Sequence, residues 1–321
     1  MELGQATPRT ELDAILSADS VDLVRLRQCL TRAALAPRCP HRSLTWKLLL
    51  GLLPPNRSAW EAEAKRVKEC YAQYVQDVSR LLERPADGHA SEHPLSTSDS
   101  SQWHAYFQFR QVTEEIQMDV DRTHSEDAWF RAQRPVMLEV LQVFALTNPG
   151  VGFVQGMAEI LAAILFALAR EGVQDLPAQA FSLTCGILGE VRDIFIAALD
   201  KDGGLEKQAE SIYSNLARAD PGLHAKLVRD HVDVRFFGIR WLGTLLTQTF
   251  DLEDVVMIWD AAFADQEGAM AALVRVCACI LCQLRDDLMN SDFTAAVKLL
   301  QGRLSTRINI SALLAQTRRL H

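Results

Sequence analysis

The stretch from Val136 to Ala169, VMLEVLQVFALTNPGVGFVQGMAEILAAILFALA, decides the fold. In its first half Val136, Met137, Val140, Leu141, Phe144 and Ala145 recur at helical spacing and line one face. Asn148-Pro149 then stops the helix, since proline has no N–H to donate and pushes its predecessor out of the α region. Gly150 and Gly152 make a turn, and a second helix is expected from about Gln155. The apolar run Met157 to Ala169 contains Glu159 and is shorter than the roughly 20 residues that span a bilayer, so it reads as a buried core helix. The glycines are spaced G-x-G-x-x-x-G after a helix, whereas a dinucleotide-binding turn follows a strand with different spacing.

The same periodicity extends in both directions. Leu252, Val255, Val256, Trp259, Ala262 and Phe263 form a second apolar face, with Asp251 placed as its N-cap and Asp254 three residues on as a box-like partner. The best strand signal, VDVRFFGIRW (232–241), runs straight into helical spacing, so an all-α chain of a dozen or more helices is expected. PADGHASEHPLSTSDSS (85–101) has prolines and serines without apolar period and is expected to be a flexible, solvated loop. Residues 1–34 are expected to be a helical extension packed on a domain of residues 35–321, itself in two helical lobes.

Of the 321 residues 49% are hydrophobic and 23% charged, the balance of a globular chain. The net charge of −8, with no window rich in Lys and Arg, argues against nucleic acid or an anionic membrane as the main ligand. The N-terminus lacks the basic-then-apolar order of a signal peptide, so a cytoplasmic protein is expected. Seven cysteines are too sparse for a disulfide scaffold. Cys277, Cys279 and Cys282 lie in an apolar helical run and read as core residues rather than metal ligands. His89 and His93 are four apart, but in a segment where no helix would align them on a metal.

Catalytic motifs are scarce: there is no phosphate-binding G-x-x-x-x-G-K-[ST], no G-x-S-x-G elbow and no H-E-x-x-H helix. Two residues invite closer reading. Gln155 is polar and uncharged at the start of an apolar helix, where backbone N–H groups are free; it either caps its helix or bonds to a neighbouring loop, or is held for a ligand. Arg122, in IQMDVDRT (116–123), is either the partner of Asp119 in a surface ion pair worth about 0.3–0.5 kcal/mol or a guanidinium directed at another molecule.

Four blocks in order decide how these two are read. Ile116, Asp119 and Arg122 resemble the I-x-x-D-x-x-R signature of the TBC domain, the module of GTPase-activating proteins for Rab GTPases. FVQGM (153–157) is similar to the family's Y-x-Q-G-M, and Arg42 with Trp46 and KLLLGLLP to its opening R-x-x-x-W helix. Arg240, Trp241, Phe250, Asp254, Trp259 and Asp260 resemble its R-W block and D-x-x-x-x-W-D helix. The loop HPLSTSDSSQW further resembles one branch of the family in particular.

The resemblance implies an all-α TBC fold of two helical lobes with the active groove between them. It implies activation of a Rab-family small GTPase in trans, in vesicle trafficking, with Arg122 as arginine finger and Gln155 as glutamine finger. Asp119 would orient the finger segment, Gly156 and Phe153 would support it, and Arg42 and Arg240 would be structural or support the interface. No cofactor is expected on this chain; GTP and Mg²⁺ would arrive with the partner, and membranes would be met only transiently, through that partner. The alternative is a TBC-shaped module that binds a Rab or an adaptor without hydrolysis, against which the presence of both fingers argues. The sequence departs from the family pattern at Phe153 for tyrosine, Ala158 for asparagine, Gln248-Thr249 for Arg-Glu, and Arg38-Cys39-Pro40 for G-[ILV]-P.

Overall fold

The computed structural model describes residues 8–32, 35, 39–83, 102–195 and 204–320. The loop expected at 85–101, with His89 and His93, lies outside them. Among the described residues the chain forms sixteen α-helices and no strand; its one isolated β-bridge joins Ser20 to Asn56.

The N-terminal half comprises α1 (Pro8–Ser17), α2 (Leu23–Arg32), α3 (Arg42–Leu49), α4 (Trp60–Leu82), α5 (Gln102–Arg122), α6 (Ala128–Thr147), α7 (Met157–Glu171) and α8 (Leu176–Glu190). The C-terminal half comprises α9 (Leu205–Ala219), α10 (Pro221–Arg229), α11 (Gly238–Gly243), α12 (Leu252–Ala264), α13 (Ala269–Gln283), α14 (Arg285–Met289), α15 (Phe293–Gln301) and α16 (Ile310–Thr317). Helices α4 to α8 pack on one another; α9, α10, α11 and α13 form a second group. Between them α12 touches α2, α3 and α7 on one side and α13 and α16 on the other, so a single apolar core runs through the molecule.

The periodic segments become these helices with the expected faces inward. Met137, Val140, Leu141, Phe144 and Ala145 are buried in α6, with Val136 partly so, and the whole set from Leu252 to Phe263 is buried in α12. A side chain that recurs every three to four residues has one face to hide, and the hydrophobic gain from hiding it selects the partner helices. The apolar run after the glycine turn is α7, whose residues Met157 to Leu165 are buried apart from Glu159. Cys277 and Cys279 are buried in α13 and Cys282 partly so, as small core residues.

VDVRFF forms no strand, in keeping with the all-α reading: Val234–Phe236 is a 3-10 turn and Gly238 opens α11, since Asp233 accepts from the N–H of Arg235 and Phe237 packs at 4.7 Å on Trp241. One local expectation fails. Asp251 does stand at the N-cap of α12, but its carboxylate makes no cap bond and accepts instead from Arg303 Nη2 at 2.8 Å. Ser305 occupies the box position: its hydroxyl accepts from the N–H of Asp251 at 2.6 Å and bonds the carboxylate of Asp254.

Arg42 and Asp260, from two blocks far apart in sequence, form the joint between α3 and α12. Their side chains are 3% and 1% exposed, and Arg42 Nε and Nη2 donate to the carboxylate at 3.0–3.1 Å while Trp46 Nε1 donates to it at 2.8 Å. Trp46, Trp259 and Phe263 pack around this joint with centroids 5.6–5.9 Å apart.

Candidate functional site

The site lies where the end of α5 meets the first turn of α7. Helix α7 is preceded, at its N-cap, by Gly156 at φ +102°, a backbone that side chains with a Cβ rarely adopt, and a Cβ there would also meet Thr244 Cγ2 at 3.4 Å. Helix N-termini leave N–H groups without internal partners, and the macrodipole there favours an anion. Asp119, only 2% exposed and one turn before the end of α5, supplies it: its Oδ2 accepts from the N–H of Gly156 at 2.8 Å and of Ala158 at 3.1 Å. The cap of α7 is thus a side chain of another helix, and Gln155 does not cap its own.

The other oxygen of Asp119 holds Arg122. Oδ1 accepts from Arg122 Nε at 2.9 Å and also from Nη2. The ion pair expected at this spacing therefore exists, but its acid is buried while the arginine side chain remains 49% exposed. Gln155 is exposed beside it, and with its carboxamide oxygen facing the guanidinium it accepts from Nη1 at 3.0 Å and Nη2 at 2.9 Å. Arg122 and Gln155, remote in sequence, are neighbours on one accessible surface, aligned by a single carboxylate.

Other side chains complete the surroundings. Thr123 is buried and its hydroxyl donates to the carbonyl of Asp119 at 2.8 Å. Phe153 is partly buried against the core. Glu159, largely buried, faces His124 Nε2 at 3.5 Å. Burial, and then Asp119, raise the Glu159 carboxyl above its ordinary range, while Arg303 and Arg122 oppose the rise. His124 is held below its ordinary range by burial and by Arg303. Arg303, projecting from the chain after α15, donates to the carbonyl of Phe250 at 2.9 Å, so the C-terminal half contributes charge to this seam. Nothing in the spacing of His124, Glu159 and Arg303 singled them out.

Two residues expected to support the site prove to be joints of the fold. Arg42 is buried in its pair with Asp260, the structural one of the two roles open to it. Arg240 Nη2 donates to the carbonyls of Leu300 and Gln301 at 3.4 and 2.5 Å, closing the C-terminus of α15, and Trp241 Nε1 adds a bond to Leu300 at 3.2 Å. Of the departures, Ala158 is fully buried under α5, and Thr249 is buried with its carbonyl accepting from Leu304 at 2.8 Å. Cavities of about 540, 460 and 300 Å³ open elsewhere, between α2, α12 and α16, between α3, α4 and α8, and beside Arg27 and Gly268. Among the described residues no helix is long and apolar enough to cross a membrane.

The chain as a whole is similar to known proteins. Human TBC1 domain family member 13, of the branch that the HPLSTSDSSQW stretch suggested, is 26% identical, with 89% of this chain and 91% of the relative aligned. The GTPase-activating protein gyp1 of Schizosaccharomyces pombe is 26% identical over 90% of this chain and 55% of its own length. Among solved structures, the Ypt/Rab-GAP domain of Gyp1p superposes with a TM-score of 0.79 at 22% identity, covering 97% of both chains. The Chlamydomonas flagellar RabGAP TBC domain superposes at 0.65 and 19% identity, covering 92% of this chain and 84% of that one. These two likenesses establish the helical fold, and the model of the Rab-GTPase-TBC domain family matches residues 39–289, a span that includes α5, the glycine turn and α12. The chain belongs to the Rab-GTPase-TBC domain family.

Proposed function

We propose that this chain is a GTPase-activating protein for a Rab-family small GTPase, with Arg122 and Gln155 as the two groups it supplies in trans. The observation that carries the reading is their adjacency: a half-exposed guanidinium and an exposed carboxamide in contact on one surface, both aligned through Asp119. A small GTPase needs its attacking water oriented and the charge that spreads over the transferring phosphoryl group neutralised. Arg122 suits the second task, being planar, always charged and forked toward phosphate oxygens. Gln155 suits the first, offering a donor and an acceptor without titrating near neutral pH.

The contact between them is exposed, so its loss costs only about 0.5–1.5 kcal/mol, and the guanidinium turns outward cheaply. The bond from Nε to Asp119 at 2.9 Å gives such a turn a point to pivot on. No cofactor is assigned to this chain; GTP and Mg²⁺ belong to the GTPase. The reading places the protein in the cytoplasm, reaching endomembranes and vesicle traffic only through its partner.

The test is single-turnover GTP hydrolysis across a panel of Rab proteins. An arginine supplied in trans is worth about 10³–10⁵ in rate, or about 4–7 kcal/mol. Arg122→Ala is expected to abolish acceleration, and Gln155→Ala to lower it sharply, with helicity and unfolding midpoint unchanged. No acceleration of any Rab overturns the reading. Retention of a nucleotide-bound Rab without phosphate release identifies the chain as a non-catalytic binding module instead.

A further inference from the structure

We propose that His124 is a positioning residue, which with Glu159 forms a second clamp between the end of α5 and the first turn of α7 and keeps Arg122 in register with Gln155. The inference rests on the reading of those two residues as the working pair. Asp119 is the first clamp. It grips α7 by its backbone amides, from one side and at one point. Beyond the buried packing of Ile116, Val120 and Thr123, His124 lies where a second polar contact joins the end of α5 to α7.

Four observations place it there. His124 follows Arg122-Thr123 with φ +42°, the left-handed region that non-glycine residues rarely enter, and this turns the chain sharply at the end of the finger helix. Its ring stacks on the buried Phe130 at 4.5 Å and 20°, which fixes the plane of the imidazole. Nε2 is enclosed without a hydrogen bond and stands 3.5 Å from Glu159 Oε2. Glu159 lies in the first turn of α7, three residues after the glycine that Asp119 caps, and its N–H donates to that glycine's carbonyl at 3.1 Å. The two side chains are 19% and 16% exposed, and the imidazole nitrogen itself has no exposed surface.

A strained backbone, a ring fixed by stacking and an enclosed nitrogen just beyond bonding distance of a carboxylate form a contact that a small inward movement completes. The surrounding charges are Asp127 on the same turn, Asp119 and Arg122 on α5, and Asp251 and Arg303 from the C-terminal half. The clamp therefore stands at the seam, where a protein pressed against both halves would close it.

The experiment uses the full chain. His124→Asn keeps a residue that tolerates the left-handed backbone and removes the ring; Glu159→Ala removes the other half; Glu159→Gln keeps its size and its acceptor. For a Rab that the protein accelerates, His124→Asn and Glu159→Ala are expected to lower kcat by about ten- to a hundredfold, as misplacement of a catalytic group does, with KM for the GTPase nearly unchanged. Glu159→Gln is expected to restore most of the rate, and in an Arg122→Ala background none of the three has a further effect. Without any GTPase, the ¹⁵N–¹H signal of Arg122 Nε is expected to shift and broaden in His124→Asn. An unchanged signal together with an unchanged kcat overturns the clamp, as does a loss confined to KM. If no Rab is accelerated, the proposed function fails on its own, and the Arg122 signal alone decides the clamp.

Discussion

Replacing Asp119 separates two jobs that one carboxylate performs. In Asp119→Ala the N–H groups of Gly156 and Ala158 lose their acceptor in a buried place. Each buried donor left unpaired costs about 1–3 kcal/mol, so the pair costs about 2–6 kcal/mol. The bonds to Arg122 add little, because a half-exposed ion pair is worth at most about 1 kcal/mol and water replaces the lost acceptor. The amides dominate. Against a total stability of about 5–15 kcal/mol, the alanine variant is expected to unfold at a clearly lower urea concentration with an unchanged slope. Asp119→Asn behaves differently: its one remaining oxygen is drawn to the two amides, and its NH₂ then faces the guanidinium. It is expected to lose only about 1 kcal/mol of stability yet to release Arg122, and so to forfeit most GTPase acceleration. Urea unfolding read by circular dichroism, beside single-turnover hydrolysis, measures both. If the alanine variant unfolds within about 0.5 kcal/mol of the parent, as an ordinary surface substitution would, the cap of α7 is not what Asp119 provides. If Asn and Ala lose equal stability, the division of labour between the two oxygens is wrong.

Three further outcomes follow from the geometry. Asp260→Ala strands the Arg42 guanidinium in the core and frees the Trp46 indole, and is expected to cost about 3–5 kcal/mol by guanidinium chloride unfolding; pairing Arg42→Met with Asp260→Leu is expected to recover the part due to the stranded charge, the Trp46 N–H still lacking its acceptor. Gly156→Ala forces a Cβ into a left-handed backbone against Thr244, with an expected loss of about 1–2 kcal/mol by thermal unfolding and a displaced Gln155. By NMR titration the His124 imidazole is expected to protonate below the ordinary 6.5, and Arg303→Gln to raise its midpoint by removing the second cause of the depression. Because the unfolded chain binds that proton first, His124 is expected to make stability fall as pH drops through and below 6.5, a slope that His124→Asn removes.

What the sequence discloses and what it hides divide by the reach of the interaction. The faces of α6 and α12 are written in local periodicity, and the stop at Asn148-Pro149 and the glycine turn are local chemistry, so all were legible before any coordinate. Arg122 and Gln155 were legible as candidates through their blocks, but their contact depends on how α5 lies against α7. The cap that Asp119 places on α7 was invisible, since a capping box is sought within a few residues of its own helix. The same search misplaced the role of Asp251, whose carboxylate is taken by Arg303 from far along the chain. His124 carries no signal in its spacing: its left-handed backbone and its approach to Glu159 are properties of the junction alone.

Helix α12 sits among α2, α3, α7, α13 and α16 with Asp260 riveted to Arg42 and Trp46 at its centre. A bridge held on so many sides does not act as a hinge, so the relation between the two helix groups is fixed by α12 itself. Under the proposed function, docking of a GTPase then asks little rearrangement of α12. Selectivity in such a system is a matter of which visitor's loops can reach the preset shape, and transplanting surface residues between relatives should alter it more readily than any change inside the bridge.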